Sequence, residues 1–130
     1  CVRGVYGNAT GQGSHGSLSR AETRNFQAAV GPSFKTGYVD QAPISNADIA
    51  QTMAQIMGLD LPAKGKLKGR VIREALKGGA APRVTRNTRV SEPAANGLRT
   101  YLNEQIVGEQ RYFDAAGFPG RTVGLTAPLK

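Results

Sequence analysis

The sequence contains few of the residues that reveal a metal site, a disulfide or a membrane segment. Its 130 residues include one cysteine, one histidine and no tryptophan. A single cysteine, Cys1, cannot form a disulfide within the chain, so cysteine content does not indicate a redox compartment. No apolar run approaches the roughly 18 residues of a membrane span. We therefore expect no membrane-spanning helix.

The chain also lacks an initiator methionine. Cys1 occupies the first position, and no charged segment followed by an apolar core resembles a signal peptide. We interpret this start as a cut within a longer sequence, and we expect any targeting signal to lie upstream.

Positive charge, glycine and proline are abundant. Lys and Arg number 17 against 9 Asp and Glu, which gives a formal net charge of +8. Such a surplus favours phosphate-bearing partners, whether nucleic acid, anionic lipid or a small phosphorylated substrate. The 17 glycines and 7 prolines indicate many loops. Composition is therefore that of a globular chain, and charge alone does not choose among the partners.

One helix is predicted in the first half of the chain. It should begin after Ser45 or Asn46, which are good N-caps, and end at Gly58. Four apolar residues recur at helical spacing and should form one buried stripe: Ile49, Met53, Ile56 and Met57.

Strands are predicted on both sides of this helix. After a loop over residues 1–24, apolar and polar residues alternate over 24–31, which indicates a short buried strand. A second alternation covers Val84–Val90. Residues 98–107 and 111–114 flank Gly108-Glu109 and are typical of a hairpin, and residues 121–125 suit a final strand.

These elements make a thin core for a chain of this length. A fully buried strand needs a neighbour on each side, and no obvious neighbour for the strand at 24–31 precedes residue 80. We therefore expect its partner strands to belong to a missing N-terminal segment.

His15 is the candidate metal ligand. It lies in a loop between Gly13 and Gly16, and such small neighbours let an ion or ligand approach closely. A lone loop histidine is usually solvated, however, and zinc sites need three or four donors. The residues 11–16 also match Gly-x-Gly-x-x-Gly, but no predicted strand precedes them and no predicted helix follows, so dinucleotide binding is not favoured.

Five segments between residues 11 and 77 together resemble the C-terminal part of type I phosphodiesterases/nucleotide pyrophosphatases, in the alkaline-phosphatase superfamily. Their order and approximate spacing agree with that family, whereas residues 78–130 are only loosely similar to C-terminal extensions of bacterial relatives. The matching segments are Gly13-Ser14-His15-Gly16-Ser17, the strand at 25–30, Gly31-Pro32-Ser33-Phe34-Lys35, Ser45-Asn46-Ala47-Asp48-Ile49-Ala50-Gln51-Thr52, and Gly69-Arg70-Val71 with Glu74-Ala75-Leu76.

The resemblance implies a fold and a division of the chain. The fold is α/β: the C-terminal fragment of a doubly wound alkaline-phosphatase-like domain, with a β-rich C-terminal extension. Residues 1–77 would form the metallohydrolase part and residues 78–130 the hairpin-containing extension. Export to the periplasm or the exterior is what the family implies for location.

The resemblance also implies a chemistry. A Thr or Ser nucleophile attacks a phosphate ester in line, assisted by two divalent ions, commonly zinc, and His15 would be a ligand of one ion. Neutral imidazole is a good zinc ligand, and two ions neutralise the phosphoryl group. The nucleophile and an Asp-His-Gly motif have no counterpart in this chain, so we expect the chain alone to be inactive.

Other charged residues have simpler interpretations. Asp48 lies early in the predicted helix, where a carboxylate serves the cap and the dipole. Asp40, Asp60 and Asp114 match no ligand motif. Five cations are either solvated or draw an anionic substrate toward a cleft: Lys35, Lys64, Lys66, Lys68 and Arg70.

Two alternatives from other classes remain open. A small basic nucleic-acid-binding module would explain the arginines at 83, 86, 89 and 99, although no stacking aromatics, zinc-finger spacing or recognition helix accompany them. A non-catalytic remnant that binds a partner through an exposed sheet edge is the other alternative.

Overall fold

The computed structural model describes residues 16–62, 64–66 and 68–125. Among these residues the chain is a mixed α/β protein with a three-stranded antiparallel sheet and few helices. The chain clusters into two compact units. Unit 1 comprises Cys1–Phe26, Arg86–Glu104 and Phe113–Lys130, and unit 2 comprises Gln27–Thr85 and Gln105–Tyr112. The division predicted at residue 77 stays a prediction.

The described elements are two α-helices, one 3₁₀ turn and three strands. The sheet order is β1-β2-β3. None of the helices in the described ranges is long and apolar enough to cross a membrane. In chain order the elements are α1 Arg20–Thr23, α2 Asn46–Met57, the 3₁₀ turn Arg73–Ala75, β1 Val84–Val90, β2 Tyr101–Val107 and β3 Gln110–Gly117.

Helix α2 has the bounds that its capping residues predict. The Ser45 N–H donates to the Asp48 carboxylate at 2.8 Å, which satisfies one free donor at the helix start. Gly58 ends the helix with φ of 66°, a left-handed conformation that glycine adopts without strain. The predicted helix is therefore confirmed.

The buried face of α2 is not the predicted one. Asp48, Thr52 and Ala54 are the buried residues of the helix. Met53 and Met57 of the apolar stripe are instead 43% and 58% exposed, and Ile49 is 37% exposed. Ile56 is half-buried, and the polar face of the helix instead makes contacts with the chain, through Asp48 and Thr52.

The hairpin and β1 are confirmed with small changes in their ends. Strands β2 and β3 are joined at Gly108, whose φ of 57° suits a tight turn. Val107 and Ala115 are buried on these two strands. Strand β1 is exposed along nearly its whole length.

Three other predictions were wrong. Residues 24–31 form no strand, and Phe26 and Val30 are 88% and 98% exposed, because the described chain provides no neighbouring strand for them. Residues 121–125 form turns rather than a strand, although Leu125 is buried. The loop predicted over 1–24 contains the short helix α1. The doubly wound sheet that the resemblance implies is not present among the described residues.

Candidate functional site

The candidate metal ligand cannot be placed in a site. His15 lies outside the described residues. Within the part of the chain that the structure describes, no three His, Cys, Asp or Glu side chains converge to hold a metal ion. Three of the resembling segments, at 31–35, 45–52 and 69–76, lie in unit 2. Together with Tyr112 they form a buried polar cluster of Asp48, Arg70, Glu74 and Tyr112.

Asp48 lies at the centre of this cluster and is 1% exposed. Its Oδ1 accepts a hydrogen bond from the Arg70 backbone N–H at 2.7 Å. Its Oδ2 accepts one from the Ser45 N–H at 2.8 Å and one from the Tyr112 hydroxyl at 2.9 Å. One carboxylate therefore joins the start of α2 to Arg70 and Tyr112, which lie 22 and 64 positions farther along the chain. This extends the capping role that the sequence predicts for Asp48.

Arg70 forms a forked ion pair with Glu74. Its two terminal nitrogens lie 2.9 and 2.6 Å from the two carboxylate oxygens, and its Nε donates to the Tyr112 hydroxyl at 2.9 Å. The Glu74 side chain is 1% exposed. A buried carboxylate of this kind is tolerated when it is paired and hydrogen-bonded, as it is here.

The protonation states of the cluster follow from these contacts. Burial, the largest single effect, would lower the pKa of Arg70, but the hydrogen bonds and charge interactions with Glu74 and Tyr112 together outweigh it, and the pKa is raised. Burial, the largest single effect, would raise the pKa of Glu74, but the hydrogen bonds that the carboxylate accepts and the positive charge of Arg70 together outweigh it, and the pKa is lowered. Burial and the hydrogen bond to Asp48 raise the pKa of Tyr112 to about 12. The pair is therefore ionised and the phenol neutral at neutral pH.

Thr52 and Gly69 allow the segment at 69–72 to lie close to α2. The Thr52 hydroxyl donates to the Asp48 carbonyl at 2.7 Å and accepts from the Ile72 N–H at 2.9 Å. A Cβ at Gly69 would collide with the backbone carbonyl of Ala47. The sequence Gly69-Arg70-Val71 is thus held against the first turns of the helix, and only glycine fits at its first position.

The segment around Phe34 is held by backbone bonds to the residues after the 3₁₀ turn. Phe34 and Leu76 form an isolated antiparallel bridge. The Lys35 N–H donates to the Ala75 carbonyl at 3.0 Å, and the Lys77 N–H donates to the Ser33 carbonyl at 2.9 Å. Two motif segments that lie about forty residues apart in the sequence therefore pair directly.

Asp40 lies beside the cluster. Its Oδ1 accepts from the Ala42 N–H at 2.9 Å, whereas its Oδ2 is buried and has no hydrogen-bond partner among the described residues. Burial and the nearby Glu74 carboxylate raise the pKa of Asp40. Its carboxyl group is consequently only half satisfied by hydrogen bonds.

The other charged residues singled out from the sequence do not share one site. The Arg70 side chain is 13% exposed and paired with Glu74, so it is not a solvated surface cation. The Lys35 ammonium donates to the Gly79 carbonyl at 2.7 Å and lies 4.7 Å from the centre of the Tyr38 ring. Asp114 in unit 1 accepts a forked pair of bonds from Arg20. The remaining predicted charges are exposed: Asp60, Lys64, Lys66 and Lys68.

Comparison with family models, with curated proteins and with solved structures gives no match. The cluster must accordingly be interpreted from its own contacts. Both oxygens of Asp48 and both oxygens of Glu74 accept internal hydrogen bonds, so the arrangement is suited to holding segments together.

Sequence reasoning missed the roles of Glu74 and Tyr112. Arg70 and Glu74 are four residues apart, but only Arg73–Ala75 form a 3₁₀ turn, so their ion pair does not follow from a helical pattern in the sequence. Tyr112 carries no local signal either, because its partner Asp48 lies 64 residues away.

Proposed function

We propose that this chain is part of a metal-dependent phosphohydrolase that resembles the phosphodiesterase/nucleotide pyrophosphatase branch of the alkaline-phosphatase superfamily. In this proposal the full-length protein cleaves phosphate esters, and His15 supplies one ligand to one of two divalent ions, most simply zinc. The nucleophile and the other ligands come from outside this chain, so the chain alone is inactive. Export to the periplasm or exterior is part of the same proposal.

The observation that carries the proposal is the mutual bonding of three of the five resembling segments. Asp48 and Thr52 of the helix motif bind the backbone of Arg70 and Ile72, and Phe34 pairs with Leu76. The joint packing of these three segments in unit 2 supports the view that they form one inherited structural unit.

Exposed apolar residues give further support. Met53 and Met57 of α2 and Val30 of the unpaired segment are 43%, 58% and 98% exposed. A helix stripe and an alternating extended segment are the surfaces that a larger α/β domain buries between its sheet and its helices. The doubly wound fold is proposed on this ground.

The metal part of the proposal rests on His15 alone. Asp48 and Glu74 are occupied by internal hydrogen bonds, so no described carboxylate of the cluster is available as a second ligand. The remaining ligands are therefore sought outside the described residues. When bound, two such ions would stabilise the attacking and leaving oxygens of the phosphate ester.

The test uses the longer protein encoded in frame with this chain. We expect zinc-dependent hydrolysis of aryl phosphate mono- or diesters, two bound ions per protein by elemental analysis, and the loss of one ion and at least about 100-fold of the activity in His15→Ala. Lys64→Ala is the control, because Lys64 is exposed and makes no bond in the described structure. An upstream stop codon, or full metal content and activity in His15→Ala, would overturn the proposal.

A further inference from the structure

A cavity in unit 1 combines positive charge with aromatic rings. Its volume is about 270 Å³, just below the range of about 300–1,000 Å³ that is usual for small-molecule sites. Two arginines and two aromatic residues contribute to its wall. The lining residues are Gly97, Leu98, Arg99, Tyr101, Phe118, Pro119 and Arg121.

Hydrogen-bonded turns hold the two sides of this cavity. On one side the Ala94 N–H donates to the Leu98 carbonyl at 2.8 Å, and the Arg99 guanidinium donates to the Ser91 carbonyl at 2.9 Å. Gly97 has a φ of 77°, which suits this turn. Arg99 is thus positioned by the backbone rather than by an acidic side chain, and its positive charge is not neutralised by its bond partner.

The other side is a second turn that follows β3. The N–H groups of Arg121 and Thr122 both donate to the Phe118 carbonyl, at 3.1 and 3.0 Å, and the Thr122 hydroxyl accepts from the Phe118 N–H at 3.2 Å. The Arg121 guanidinium has no hydrogen-bond partner among the described residues. Its five donors are therefore available to a ligand.

We propose that this cavity binds a nucleotide unit. The guanidinium groups of Arg99 and Arg121 recognise the phosphate, since the planar fork of arginine matches phosphate oxygens. The rings of Tyr101 and Phe118 contact the base, because aromatic side chains bind bases of any sequence through their faces. The volume suits one such unit. All of these residues lie beyond residue 77, so this inference does not depend on the proposed hydrolase function.

The test measures binding of the 130-residue chain to adenosine monophosphate, adenosine, inorganic phosphate and a single-stranded oligoadenylate at low salt. We expect the monophosphate to bind at least about tenfold more tightly than adenosine or inorganic phosphate, because only it carries both recognised groups. Arg121→Ala should weaken monophosphate binding about tenfold. Arg83→Ala removes an equal charge from an exposed position in unit 2 and should change it less than about twofold.

A second variant tests the proposed contact between the Phe118 ring and the base. Phe118→Leu keeps apolar bulk but removes the ring, so it should weaken binding of the monophosphate and leave that of inorganic phosphate unchanged. If the oligonucleotide alone binds, with the same loss in Arg121→Ala, the unit is recognised within a strand. If Arg83→Ala weakens binding as much as Arg121→Ala, or if neither nucleotide ligand binds, the proposal is refuted.

Discussion

Replacement of Asp48 by alanine should be among the most damaging single changes in unit 2. The side chain is 1% exposed and accepts three hydrogen bonds, from Ser45, Arg70 and Tyr112, at 2.7 to 2.9 Å. Alanine would leave these donors without their acceptor. Each buried donor that loses its partner destabilises the fold by about 1–3 kcal/mol.

The three losses share one acceptor and partly relax together, so they do not add in full. We expect a fall in the free energy of unfolding of about 3–5 kcal/mol, which is large beside the usual total of about 5–15 kcal/mol. With a urea m-value of about 1–3 kcal/mol/M, the unfolding midpoint should fall by about 2 M.

The assay is urea unfolding of the whole chain, followed by far-ultraviolet circular dichroism. Asp60→Ala is the matched control, because Asp60 is exposed and makes no hydrogen bond in the described structure. Its effect should stay within about 0.5 kcal/mol. Equal midpoints for Asp48→Ala and Asp60→Ala would refute the argument that one buried carboxylate holds these segments together.

Three further outcomes are expected from the same cluster. Gly69→Ala should lower the free energy of unfolding in urea by about 2 kcal/mol or more, because the added Cβ would collide with backbone atoms. The control is Gly65→Ala, whose Cβ would face open space, and it should change this free energy by less than about 0.5 kcal/mol. Equal losses in the two variants would contradict the close contact at Gly69. Burial and Glu74 raise the pKa of Asp40, so the stability from its neutral form is present below about pH 4 and is lost as pH rises through the folded-state pKa. Asp40→Asn should therefore raise the melting temperature at pH 7 and not at pH 3, and a gain of the same size at both would be evidence against this charge effect. Tyr112→Phe removes the hydrogen bond that the Tyr112 hydroxyl donates to Asp48 and the one that it accepts from Arg70. The free energy of unfolding in the same urea assay should fall by about 1–2 kcal/mol. An unchanged unfolding midpoint would count against these two hydrogen bonds.

The parts of the fold that follow from local chemistry were predictable from the sequence. Ser45 and Gly58 determine where α2 begins and ends, and Gly108 marks the turn of the hairpin. Each of these effects acts within a few residues. The alternation over Val84–Val90 likewise predicted β1.

The parts that depend on distant partners were not predictable in this way. Apolar spacing assigned Met53 and Met57 to the core, but Asp48 and Thr52 determine the buried face of α2, since their partners lie 20 or more residues away. The alternation of apolar and polar residues at 24–31 indicates which residues share a face. It does not indicate whether a neighbouring strand exists. The role of His15 stays a prediction, and neither the cavity of unit 1 nor the place of Tyr112 had a local signal.

The exposed stripe of α2 contains two methionines whose oxidation can report whether the helix is covered. Met53 and Met57 are the two methionines of the sequence, and both residues are exposed to solvent. Mild peroxide should convert both to sulfoxides while the chain remains folded, because neither supports the core. A polypeptide that covers this stripe would slow that oxidation, so the mass of one peptide records whether the helix is covered.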